Sequence, residues 1–116
     1  MKDDRLYLIH IIECIGRVEE YTREGKEAFT RDTKTQDAVL RNLQTLAEST
    51  QHLSPALKTA HPEIAWERLA GFRNVLVHDY LGINLVRVWE IIEHYLPELR
   101  KQASVILKES GEPTST

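Results

Sequence analysis

Leu8-Ile-His-Ile-Ile-Glu-Cys-Ile-Gly-Arg-Val18 is the stretch whose reading decides the fold. Leu8, Ile11, Ile12, Ile15 and Val18 fall at i, i+3, i+4, i+7 and i+10, a single stripe of a 3.6-residue period. Arg5, Glu13, Arg17, Glu19 and Glu20 occupy the other positions, so the segment is an amphipathic helix. Gly25 is expected to close it as a C-terminal cap.

The same period recurs outward from this stretch. Thr33-Lys-Thr-Gln36 has the form of a capping box, in which the Thr33 hydroxyl accepts the N3 amide and Gln36 reaches back to the Thr33 amide. It opens a second helix with Val39, Leu40, Leu43, Leu46, Ala47 and Thr50 on its apolar side. Ser54-Pro55 and His61-Pro62 then break the helical pattern, because a residue before proline is pushed out of the helical region. Residues 53–63 are expected to form a loop with at most one short helical turn. A third helix begins near Ile64 to Glu67, with Trp66, Leu69, Phe72 and Leu76 inward and Gly82 as its stop. Asn84 caps a long fourth helix carrying Leu85, Val88, Ile92, Tyr95, Leu99 and Ile106, which Pro97 is expected to kink. No segment has a strand period. The expected fold is all-α, an antiparallel four-helix bundle with a kinked C-terminal helix. One domain over 1–110 is expected, followed by a disordered tail, 111–116, with nothing to bury. Tyr7, Phe29 and Trp89 lie off the central stripes and would suit a second apolar surface for dimerisation.

Composition narrows the class. The chain has 116 residues with 15 Lys and Arg against 18 Asp and Glu, a formal charge of −3. That length suits a single core without staples. The lone Cys14, set among apolar neighbours, excludes an intrachain disulfide framework and a Cys-rich zinc site. Two acids near the start and short apolar runs imply a cytoplasmic protein that neither enters nor crosses a membrane. Any nucleic-acid binding must come from a local patch rather than from bulk charge. His10, His52, His61 and His94 invite a metal reading, but the paired Glu-x-x-His spacing of a di-iron bundle is absent, so neither metal nor cofactor is expected.

The stretch with chemistry in it is Arg73-Asn-Val-Leu-Val-His-Asp-Tyr80. It places a fixed positive charge, an imidazole and a phenol close together at the end of the third helix. In a continuous helix Arg73 and Tyr80 share a face, while His78 lies roughly 140° from Arg73. Spacing alone therefore builds no compact site; it is completed by a loosening near Gly82 or by a second copy across a two-fold axis. A structural reading also stands: Arg73 pairs with an acid, His78 packs at a helix end and Tyr80 covers the core. Arg41, Arg68 and Arg87 are candidates to flank a cleft.

Arg73, His78 and Tyr80 match the R-x4-H-x-Y signature of the HEPN superfamily, and the chain resembles the HepT toxins of HEPN/minimal-nucleotidyltransferase toxin–antitoxin pairs. Thr35-Gln-Asp-Ala-Val-Leu-Arg-Asn-Leu43, Ser54-Pro55, His61-Pro-Glu-Ile-Ala-Trp66, Ala70-Gly-Phe-Arg-Asn74 and Val88-Trp-Glu-Ile-Ile92 follow in that family's order. The likeness spans about residues 3–108. It departs at Leu46-Ala-Glu-Ser-Thr50, where relatives often carry a Gly-Glu-Ala-like sequence.

The resemblance implies a bacterial or archaeal toxin, a metal-independent endoribonuclease acting as a homodimer on RNA. Arg73 and His78 would be its catalytic residues, with Asn74 and Asp79 in support. It further implies a minimal nucleotidyltransferase antitoxin that transfers AMP onto Tyr80 and so silences the site. The alternative is a non-catalytic nucleotide- or substrate-binding subunit of a nucleotidyltransferase, and a third reading is a helical adaptor. The binding subunit would bind nucleotide without cutting RNA.

Overall fold

The computed structural model describes residues 2–78 and 84–109, and every regular element in that set is helical. In chain order these are α1 (Lys2–Tyr21), α2 (Lys26–Arg31), α3 (Thr33–Gln51), α4 (Pro55–Ala60), α5 (Trp66–His78), α6 (Leu85–Glu90), a π-helical turn (Ile91–Tyr95) and α7 (Leu96–Glu109). The expected all-α class is what the structure shows. No described helix is long and apolar enough to cross a membrane. Gly82, expected as a helix stop, and the tail 111–116 lie outside the described residues.

The apolar stripe of α1 is the centre of the core. Leu8, Ile11, Ile15 and Val18 are at most 1% exposed, and they meet Val39, Leu43, Leu46 and Ala47 of α3. Leu69 and Phe72 of α5 and Leu96, Leu99, Ala103 and Ile106 of α7 complete the packing. Burial of this apolar area from water is what holds the helices together. Helix directions follow from the contacts at their ends. Asp4 near the start of α1 binds Ser54 just beyond the end of α3, so those helices run antiparallel. Arg5 reaches the Leu107 carbonyl while Glu19, far along α1, pairs with Arg100, so α1 and α7 are antiparallel too.

Four local expectations change. Gly25 does have a positive φ of 100°, a conformation glycine reaches without a Cβ penalty, but it precedes α2 as its N-cap and lies beyond the turn that ends α1. Phe29 on that short helix is 1% exposed and packs at 5.5 Å from Trp89, so it belongs to the core and not to a second apolar surface. The cap of α3 is Asp32: its carboxylate accepts from the Lys34 N–H at 3.1 Å and the Thr35 hydroxyl at 2.8 Å. Gln36 instead donates to the Phe29 and Thr30 carbonyls, both at 3.0 Å. Finally, 53–63 holds a six-residue helix, α4, with the Ser54 hydroxyl accepting from the Leu57 N–H and Pro55 in its first turn.

The expected break at Pro97 is expressed one turn earlier. The Leu96 N–H reaches back to the Ile91 carbonyl, an i→i−5 bond, and the chain passes through the π turn before α7 begins. Widening the helix there relieves the clash between a proline ring and the carbonyl four residues before it. It also sets the buried positions Val88, Ile92 and Leu96 four apart, where a regular helix would alternate threes and fours.

Candidate active site

Helix α5 carries the start of the motif, and the turn before it fixes where the helix begins. The His61 imidazole and Glu63 carboxylate lie 3.0 Å apart, and the Trp66 indole N–H donates to the His61 carbonyl at 2.9 Å. Glu63 is held below the ordinary carboxylate range by its own backbone N–H and by His61. Ile64, 3% exposed, pins this turn to the core. From Trp66 the helix runs inward through Leu69 and Phe72.

Arg73, Asn74 and His78 occupy positions on the last two turns of α5. The side chains of Arg73, Asn74 and His78 lie outside the described residues, as do Asp79 and Tyr80 entirely. The helical backbone places position 78 two turns beyond Gly71 on one side of α5, with position 73 roughly 140° away. The angular separation expected of Arg73 and His78 therefore holds along α5.

Beside those turns lies a groove of about 720 Å³. Arg68, Gly71 and Phe72 form its α5 wall, and Asn84, Val86, Arg87, Glu90, Ile91, His94 and Tyr95 form the opposite one. Asn84 is the expected cap of α6, its side-chain oxygen accepting from the Arg87 N–H at 3.1 Å. At the other end of the groove the Phe72 and Tyr95 rings meet edge to face, with centroids 5.3 Å apart. The Arg68 guanidinium sits over the same Tyr95 ring, 5.1 Å from its centroid. Burial pushes the Tyr95 hydroxyl above the ordinary phenol range, against the opposing effect of the Arg68 charge. The neutral hydroxyl keeps a long 3.5 Å hydrogen bond to the Ala65 carbonyl.

Of the arginines expected to flank a cleft, Arg68 and Arg87 line this groove and Arg41, on α3, does not. Tyr95 was legible only as a core position and His94 only as a metal candidate. The signal for both is the four-residue ladder Val86/Arg87, Glu90/Ile91, His94/Tyr95, which the π turn keeps on one side. Among the described residues no three His, Cys, Asp or Glu side chains converge as metal ligands would. Cys14 is buried in the core, and burial raises its thiol above the ordinary range, which leaves it unsuited to nucleophilic work.

The family model described as ribonuclease HepT-like matches residues 11–106, a span that contains the whole of 73–80. The chain is 35% identical over 109 residues to a putative RNase of Caldanaerobacter subterraneus subsp. tengcongensis, covering 93% of this chain and 97% of that protein. It is 38% identical over 95 residues to a probable ribonuclease HepT of Thermococcus cleftensis, covering 81% and 86%. A gamma-glutamylcyclotransferase and putative RNase of Methanocaldococcus jannaschii is 32% identical over 109 residues; the alignment covers 93% of this chain and 49% of that protein, so this chain spans about half its length. No solved structure matches the chain.

Proposed function

The chain belongs to the ribonuclease HepT-like family, and from that premise we propose that it is an RNA-cleaving toxin whose chemistry rests on Arg73 and His78. The observation that carries this reading is the R-x4-H-x-Y motif, which falls inside the matched span and starts on the last two turns of α5, beside a groove with two arginines.

RNA carries its own nucleophile, so the protein need supply only proton transfer and charge stabilisation. An imidazole at His78 takes the proton of the 2′-hydroxyl as that oxygen attacks phosphorus. The bond from phosphorus to the 5′-oxygen breaks, a 2′,3′-cyclic phosphate forms and the departing oxygen takes up a proton. Arg73 stays charged throughout and holds the non-bridging oxygens as negative charge builds on them. A base and an acid are both required, and one motif has one histidine. A homodimer with two-fold symmetry brings a second His78 and a second Arg73 to the same cleft. Asn74 and Asp79 orient the phosphate and the imidazole. No step calls for a metal ion. Tyr80 is the acceptor by which a nucleotidyltransferase antitoxin restrains the enzyme: AMP on its hydroxyl puts anionic phosphate where the RNA phosphate would sit.

The test is cleavage of single-stranded RNA by the purified protein, with and without EDTA. Cleavage should persist in EDTA and fall by about 10²–10⁴ in Arg73→Ala and His78→Ala, while both variants keep the helical circular dichroism of the parent. Undiminished cleavage by both variants would overturn the assignment of these residues.

A further inference from the structure

The groove beside α5 is built for more than filling space. Its volume of about 720 Å³ lies within the ~300–1,000 Å³ typical of small-molecule sites. Its lining mixes two cations with aromatic surface and one carboxylate, Glu90. An arginine carried over an aromatic ring keeps its outer planar face available, and nucleobases stack on such guanidinium planes as well as on rings. Arg68 is exposed, and Phe72, 5% exposed and edge-on to Tyr95, supports the ring from the core side. Arg87 is exposed on the facing wall, in the first turn of α6.

The π turn aligns this wall. In a regular α-helix each four-residue step overshoots a full turn by about 40°. Val86/Arg87, Glu90/Ile91 and His94/Tyr95 would then wind away from α5. The wider turn over Ile91–Tyr95 takes up part of that drift, so three successive pairs line one groove. Such π segments recur where side chains must be set for function.

We propose that this groove is a nucleotide subsite for single-stranded RNA beside the scissile phosphate. One base stacks on the Arg68 guanidinium that Tyr95 supports, and Arg87 contacts the adjoining phosphate. Tyr95 is a positioning residue that acts through Arg68. The assignment rests on the ribonuclease reading above and names where its substrate is held. An RNA occupant is favoured over a protein partner because the groove has a cation on each side of an aromatic platform, a pairing that suits a base and its adjoining phosphate.

The experiment measures binding separately from cleavage. Anisotropy of a labelled single-stranded RNA octamer, every 2′-hydroxyl methylated so that no linkage carries its nucleophile, reads affinity over a range of salt concentrations. Arg68→Ala and Arg87→Ala should each weaken binding by about tenfold. Arg87→Ala should also reduce the salt slope by about 0.7, the value of one lost single-strand phosphate contact. Arg68→Lys keeps the charge but loses the planar face, and its affinity should stay within about twofold of Arg68→Ala. Lys108→Ala, on α7 about 20 Å along the helix from Tyr95, should bind like the parent. In cleavage assays the two arginine variants should raise KM and leave kcat within about threefold, a split opposite to that of His78→Ala.

Parental RNA affinity in both arginine variants overturns the subsite, and loss of antitoxin association in those variants would then give the groove to the protein partner. Parental affinity in Arg68→Lys overturns the stacking role. If the parent protein binds the octamer through Arg68 and Arg87 but cuts no RNA, the ribonuclease reading fails and the subsite stands. If it cuts RNA with KM unchanged in both variants, the reverse holds.

Discussion

The carboxylate of Asp4 on α1 accepts two hydrogen bonds from one residue, the Ser54 backbone N–H at 2.8 Å and the Ser54 hydroxyl at 2.7 Å, across fifty positions of sequence. The same hydroxyl accepts from the Leu57 N–H at 3.2 Å, so Asp4 orients the group that caps α4. Asp4 is 7% exposed, and the Tyr7 and His52 rings stack beside this corner at 5.0 Å. Asp4→Ala leaves the Ser54 donors without their acceptor and should cost about 1.5–3 kcal/mol in urea unfolding. Asp4→Asn retains one acceptor and should cost less. Equal stability of the parent and Asp4→Ala would show that the contact contributes nothing to the fold.

Asp32 gives the stability of the fold a defined pH dependence. Hydrogen bonds from Thr35 and Lys34, Thr35 first, hold its carboxyl below the ordinary aspartate value. A depressed folded-state value means that the native protein releases this proton more readily than the unfolded chain. The stabilisation is therefore complete above the ordinary aspartate range and is lost as pH falls through the lowered value. Asp32→Ala should lower Tm at neutral pH, and the gap to the parent should close progressively in acid. Asp32→Asn, which still caps through its side-chain oxygen, should narrow the gap at neutral pH and show little acid dependence of its own. A gap that is constant with pH would contradict the assigned cause.

Phe29 makes the short helix α2 part of the core. It is 1% exposed, and its ring lies 5.5 Å from that of Trp89 at a tilt of 38°. Phe29→Ala should destabilise the protein by about 3–5 kcal/mol, the range for a deleted buried phenyl group. Phe29→Leu keeps most of the volume and should cost under about 1.5 kcal/mol. Unfolding followed by tryptophan emission reads both, because Trp89 reports on the same contact. A loss below about 1 kcal/mol in Phe29→Ala would mean that α2 docks without its anchor.

What was legible in the sequence follows from how each feature is encoded. The long helices show their period because each has several turns of apolar residues, as at Leu8 to Val18. Helix α2 has six residues, too few to display a period, so Phe29 read as surface. The cap of α3 was misplaced by one residue because Asp32 and Thr33 are both good N-caps. The carboxylate wins by binding an N–H and the Thr35 hydroxyl together, which frees Gln36 to hold the end of α2. Pro97 announced a disturbance, but its form depends on the burial of Val88, Ile92 and Leu96 in the core, a tertiary matter. The motif was legible as residue types, and the angle between positions 73 and 78 is a property of any helix. The neighbouring groove was not legible, because it joins Arg68 to Tyr95 across two helices.

Tyr80 separates the catalytic part of the proposed function from its regulation. Tyr80→Phe removes the hydroxyl proposed to accept AMP and leaves the charge of Arg73 and the imidazole of His78 in place. The purified variant should cut RNA at a rate within about threefold of the parent, since the phenol has no assigned role in proton transfer. Co-expression with the proposed nucleotidyltransferase partner should then divide the two proteins. The parent should gain one or more AMP masses on the peptide containing Tyr80, lose ribonuclease activity and permit growth. Tyr80→Phe should gain none, remain active and arrest growth despite the partner. A Tyr80→Phe protein that the partner still silences, with no added mass, would show that restraint comes from docking alone. Bulky anionic AMP beside the phosphate site is then unnecessary, and Tyr80 reverts to a structural residue.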